Sequence, residues 1–217
     1  MTLSIKDPGS ALTHFIGMIL AGLAATPLLV LAAKDGGRYA VPALAIFAAN
    51  MILLYGASTT YHTFNISEKV NKVLRKIDHM MIFILIAGSY TPICVIPLRD
   101  TVGIPLLILV WAVAIAGMLI KAFWITCPKW FSSTIYIAMG WLCVLAMVPL
   151  VQTLPTAAFI WLVAGGVIYT IGGVIYALKL PLFNAKHQYF GSHEIFHVFV
   201  MAGSLCHYVT MFYIAVM

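Results

Sequence analysis

The chain has 217 residues, of which 63% are hydrophobic and 8% charged, and carries a formal net charge of +6. Soluble domains are about 25% charged, so this composition excludes a water-soluble globular protein and points to an integral membrane protein. Four scattered cysteines, Cys94, Cys127, Cys143 and Cys206, form no C-x-x-C pair, which excludes a cysteine zinc ribbon and leaves them as packing residues.

In chain order, the N-terminal MTLSIKDPGS offers no convincing cleavage site and reads as retained. Seven apolar stretches then follow, at approximately 11–33, 39–63, 77–97, 103–124, 132–151, 157–178 and 193–216. Each is long enough for the roughly 20 helical residues that cross a hydrocarbon core. Runs of this length without alternation predict helices rather than barrel strands, and the connectors are too short to hold a separate soluble domain. The expected architecture is all-α, a single seven-helix domain over 1–217.

Lysine and arginine orient the bundle. With the N-terminus cytoplasmic, Lys6, Lys69, Lys72, Arg75, Lys76, Lys121, Lys129, Lys179 and Lys186 face inward, against Lys34, Arg38 and Arg99 outside. This follows the positive-inside rule and places the C-terminus outside. Juxtamembrane basic residues facing anionic lipid account for the net charge, and no nucleic-acid partner is needed. In the sixth span, GGVIYTI is echoed by GGVIYAL. Gly165, Gly166, Gly172 and Gly173 thus recur on one helix stripe, which reads as packing.

Ionisable groups inside spans are costly and mark function by default. They are His14, His62, Asp78, His79, His193, Glu194, His197 and His207, with Ser58 as a polar neighbour. In the predicted orientation His62, Asp78, His193 and His197 share the inner level. Residues four apart share a helix face, so Ser58 pairs with His62 and His193 pairs with His197. A lone intramembrane histidine is ordinarily a hydrogen-bonded packing residue. Two such pairs with an aspartate at one depth point instead to three imidazoles around a metal, with a fourth position open as in catalytic zinc sites. His207, ten residues past His197, is expected near the opposite face and in packing. His187 is expected in a solvated loop, and His79 is expected to face away from Asp78.

HEIFH at 193–197 also fits the H-E-x-x-H pattern of zinc proteases, with Glu194 as base. Its plain reading is a first-turn carboxylate favoured by the helix dipole, behind Ser192 as N-cap.

Taken together, ALTHFIG (11–17), STTYHTF (58–64), KIDHMMIFILIAGSYTP (76–92), AMGW (138–141) and HEIFHVFVMAGSLCH (193–207) resemble the hemolysin III family of bacterial membrane proteins. That family lies within the progestin and adiponectin receptor superfamily, itself akin to alkaline ceramidases. The similarity covers nearly the whole chain. The resemblance implies a seven-helix fold in the cell membrane and a Zn2+ near its cytoplasmic side. His62, His193 and His197 would be the ligands, with Asp78 reaching the metal through water and Ser58 nearby. The superfamily motif needs only H-x-x-x-H, which makes the protease match at Glu194 coincidental. One departure precedes the first span, where the family carries Glu and Asn and this chain has Asp7 and Ser10, so no role is carried over to those two positions.

Three functions are expected in descending order. The first is a zinc-dependent hydrolase of a lipid amide or ester bond, with Asp78 as base and Ser58 as hydrogen-bond donor. The second is a sensor or receptor for lipid or membrane state with a structural zinc. The third is a pore-forming haemolysin, which the resident inner-membrane pattern disfavours. In the first two readings the partner is a membrane lipid.

Overall fold

The computed structural model describes residues 5–178 and 191–217; His187, Lys179 and Lys186 lie outside the described residues. Helix α1 spans Pro8–Asp35, α2 Ala40–Thr63 and α3 Glu68–Val95. A π turn at Arg99–Gly103 leads into α4, Ile104–Phe123. The fifth span comprises α5 (Lys129–Gly140), a 3-10 stretch (Trp141–Ala146) and α6 (Met147–Thr153), and is followed by α7 (Thr156–Leu178) and α8 (Ser192–Ile214). Seven helical segments are long and apolar enough to cross a membrane, in agreement with the hydropathy pattern.

The chain runs up and down. Lys6 N–H donates to the Thr63 carbonyl at 3.2 Å and Asp7 N–H to the His62 carbonyl at 2.9 Å, tying the start of α1 to the end of α2. At the opposite end, a Cβ at Gly36 would stand 2.5 Å from the Ala215 carbonyl, where the last turns of α1 and α8 meet. The end of α2 and the starts of α1, α3 and α8 therefore share one end of the bundle.

Two elements depart from the apolar pattern. α3 begins at Glu68, not near 77, because Ser67 caps it by accepting the Val70 N–H at 3.3 Å and Glu68 favours its first turn. Five of the nine residues 68–76 are charged (Glu68, Lys69, Lys72, Arg75 and Lys76), so a search for membrane spans passes over them although they continue the helix. The fifth span is also not one helix. Its apolar run is continuous, yet the backbone tightens at Trp141–Ala146 because the Tyr90 hydroxyl enters its hydrogen-bond ladder. Tyr90 Oη accepts the Cys143 N–H at 2.8 Å and donates to the Gly140 carbonyl at 2.6 Å, with the Met139 carbonyl at 3.2 Å. Backbone groups that leave a helix in lipid need such a partner.

Tyr90→Phe keeps the ring but strands the Cys143 N–H and Gly140 carbonyl among apolar side chains. It should destabilise the protein by about 1–3 kcal/mol, read as a lowered unfolding midpoint in detergent. An unchanged midpoint would mean that the break is held by other contacts.

Candidate metal centre

The last turn of α2 and the first turn of α8 meet at one end of the bundle and bring His62, His193 and His197 together. His62 and His197 are 3% and 2% exposed. One ring nitrogen from each histidine lies within 4.8 Å of the others, and the Nε2 atoms of His62 and His193 are 3.2 Å apart. The sequence expectation that these three rings converge is what the coordinates show, although the residues are up to 135 positions apart (197 − 62).

The hydrogen bonds behind the rings settle which nitrogens carry lone pairs. His62 Nδ1 is 2.9 Å from Asp7 Oδ2, and a carboxylate accepts, so Nδ1 carries the proton and Nε2 the lone pair. His197 Nδ1 is 3.2 Å from Thr13 Oγ1. That hydroxyl donates its proton to the Gly9 and Ser10 carbonyls, each at 3.0 Å, so it accepts from His197 and leaves Nε2 with the lone pair. A carboxylate or hydroxyl behind a ring nitrogen is the usual second support of a metal-binding histidine. A tetrahedral ion with nitrogens at 2.0–2.1 Å requires them about 3.3 Å apart, and the His62–His193 separation already meets this. Three neutral imidazoles with converging lone pairs fit a divalent transition metal.

Asp78 and Ser58 border the same cavity. Asp78, 13% exposed in its side chain, comes from α3 and is close enough to His62, His14 and His193 to interact electrostatically with each. Ser58 is 2% exposed, and its hydroxyl lies beside the Asp78 carboxylate, just outside strict hydrogen-bond geometry. His79 does not face away from Asp78. Its Nδ1 folds back to donate to the Arg75 carbonyl at 2.9 Å and comes within 3.3 Å of Asp78 Oδ2.

Glu194 is held differently. Ser10 Oγ donates to its Oε1 and the Gly191 N–H to its Oε2 at 2.8 Å. One carboxylate oxygen fastens the start of α8 to α1 and the other caps α8 itself, and Glu194 is not among the residues that border the cavity. The helix is capped at Gly191 rather than Ser192, which is its first helical residue, because the Glu194 side chain already satisfies the Gly191 N–H.

Sequence reasoning missed three supports. Asp7 and Thr13 orient the ligands, and His14 lies flat on His197 with ring centroids 3.6 Å apart and planes within 6°. Of Asp7 and Ser10, the two positions at which the chain departs from the resembled pattern, Asp7 bonds to His62 on α2 and Ser10 to Glu194 on α8. Spacing could not reveal this, since each partner lies on another helix.

Residues 4–208 match the profile of a family described as Haemolysin-III related. The chain belongs to the haemolysin-III-related family. Haemolysin-III relatives include Hemolysin-3 of Bacillus cereus, 37% identical over 99% of this chain and 94% of that protein. The Hemolysin-3 homolog of Bacillus subtilis (strain 168) is 36% identical over 92% and 89%. A more distant match, 26% identical, covers 75% of this chain and 40% of the adiponectin receptor protein of Drosophila melanogaster, consistent with the wider superfamily. The seven spans and these bacterial haemolysin-III relatives make it a multi-pass protein of the bacterial cell membrane.

Asp7→Asn in this haemolysin-III-related protein removes the charge behind His62 while preserving shape. Metal affinity should fall about 10–100-fold with the helical fold retained, as read by competition against a chelator. Equal affinity in the variant would show that Asp7 does not orient the ligand.

Proposed function

We propose that the protein is a zinc-dependent hydrolase of a membrane lipid's amide or ester bond, with its N-terminus and metal centre on the cytoplasmic side. The observation that carries this reading is the position of the three-histidine cluster at one end of a long apolar cavity. A cavity lies between the helices, bordered by His193, His197, Asp78 and Ser58 at one end and by Leu98, Leu106 and Leu150 toward the other. Its mostly apolar lining beside a few convergent polar groups suits a lipid's acyl chain.

His62, His193 and His197 would hold the ion. A zinc ion bound by three imidazoles lowers the pKa of water toward about 7 and polarises a carbonyl. The Asp78 carboxylate takes a proton from the attacking water as its oxygen adds to the carbonyl carbon. It returns that proton to the leaving amine or alcohol as the C–N or C–O bond breaks. Ser58 Oγ, buried beside Asp78, donates to the oxyanion. The apolar walls exclude bulk water and hold the acyl chain so that the scissile bond stays among these groups.

A second reading is a lipid-responsive sensor with a structural metal. It is favoured by the His62–His193 pair, which spans α2 and α8 and would fasten them. The two differ in product formation.

Asp78→Asn should lower hydrolysis of a responsive acyl amide or ester by about 10²–10⁴-fold while bound zinc per protein, by elemental analysis, stays the same. Full turnover in this variant would remove Asp78 from the mechanism. Complete absence of products across a panel of acyl amides and esters, with zinc-dependent thermal stability, would favour the sensor.

A further inference from the structure

Polar side chains continue deep into the cavity, where an unsubstituted acyl chain needs none. His14, stacked on His197, meets Tyr55 edge-on at 5.1 Å. Tyr55 Oη donates to Ser204 Oγ at 2.7 Å, and Ser204 Oγ is 2.8 Å from Tyr169 Oη. The Tyr169 ring stands 5.2 Å from the His207 ring, edge to face. His207 lies ten residues beyond His197 on α8, about 15 Å along the helix. It does not pack away at the far membrane face but borders the cavity.

The crossing of α7 and α8 is built to seat these two rings. A Cβ at Gly165 on α7 would lie 2.3 Å from His207 Cδ2, and one at Gly203 on α8 would lie 2.8 Å from the Tyr169 ring. Each helix gives up a side chain to admit the other's polar aromatic group. Packing alone would be met by Phe or Leu, so the polarity calls for another cause.

The hydrogen bonds here do not close. Tyr55, Ser204 and Tyr169 bring three hydroxyl protons to two hydrogen bonds; with Tyr55 donating to Ser204 and Ser204 to Tyr169, the spare proton is that of Tyr169, the member of the trio that borders the cavity. Neither nitrogen of His207 has a hydrogen-bond partner among the described residues; the Leu162 carbonyl is close but outside hydrogen-bond geometry. Both nitrogens are shielded as the ring stands. A half-turn about Cβ–Cγ exchanges ring nitrogens and carbons at constant shape and carries Nε2 from Gly165 to the place of Cε1.

We infer that the deep part of the cavity recognises a hydroxyl borne part-way along the lipid's acyl chain, held between the Tyr169 hydroxyl and a ring nitrogen of His207, the two of these groups that border the cavity. A hydroxyl both accepts and donates, and so meets both unpaired groups at once; a methylene meets neither. This deepens the proposed function and rests on its lipid-binding reading.

The test is binding, measured without reference to turnover. Purified protein in detergent micelles is titrated with stearamide and with stearamides carrying one hydroxyl at successive carbons. Affinity should peak for a mid-chain hydroxyl, about tenfold above stearamide, the size of one net hydrogen bond. His207→Leu and Tyr169→Phe should each flatten the peak while stearamide binding changes less than twofold. Tyr169→Phe keeps the ring over Gly203 and so stands if His207→Leu fails to fold. A flat profile in the unaltered protein, as expected if only water occupies the site, overturns the inference and leaves the lipid reading intact. A peak that survives both substitutions also overturns it. Binding of none of the amides overturns the lipid reading itself.

Discussion

The structure depends on fixing three imidazole lone pairs where water cannot do so. A neutral histidine carries one proton and one lone pair, and which nitrogen holds which follows from the group behind the ring. At His62 that group is Asp7 and at His197 it is Thr13. Both come from the first turns of α1 or the residue just before it, and neither is a candidate ligand. The first helix therefore acts as the back wall of the centre: it sets tautomers, stacks His14 on His197 and anchors Glu194 through Ser10. If α1 moved away, the three rings would remain near one another, but His62 and His197 would lose the proton acceptors that hold their lone pairs inward.

The same requirement for partners shapes the rest of the bundle. The fifth span leaves the α-helical ladder for six residues, and the unpaired backbone groups turn to the Tyr90 hydroxyl of α3. This break borders the cavity through Gly140, Trp141 and Cys143, and Trp141 Nε1 donates to Thr170 Oγ1 at 2.9 Å to hold the break against α7. The cavity is thus bordered by hydrogen bonds in its walls. It joins the polar end, where Asp78 and Ser58 stand beside the histidines, to the deeper polar rings of Tyr169 and His207.

Much of the centre was legible because a helix repeats. Ser58 with His62, and His193 with His197, announce their shared faces through a spacing of four, and alternating up-and-down spans place Asp78 at the same depth. Relations between helices were not legible in this way. Asp7 was given no role because it departs from the resembled family's pattern, and nothing local links it to His62, 55 positions away. His79 follows Asp78 directly and was expected to diverge from it, but its side chain turns back toward the Arg75 carbonyl, a rotamer choice that spacing does not encode. His207 was assigned to packing from its depth alone; its unpaired nitrogens and its seat on Gly165 appear only when α7 is laid against α8.

By itself the sequence determined the solvent, the number of crossings and the chemical character of the centre, because transfer of apolar side chains into lipid and the 3.6-residue period act locally along the chain. Tertiary structure alone decided which nitrogen of each histidine faces inward, where the fifth span breaks, and that Glu194 fastens a helix instead of facing the cavity. Those outcomes depend on hydrogen bonds between side chains and backbone groups of different helices, and a bond's partner across a bundle is fixed by packing geometry that no stretch of one helix contains.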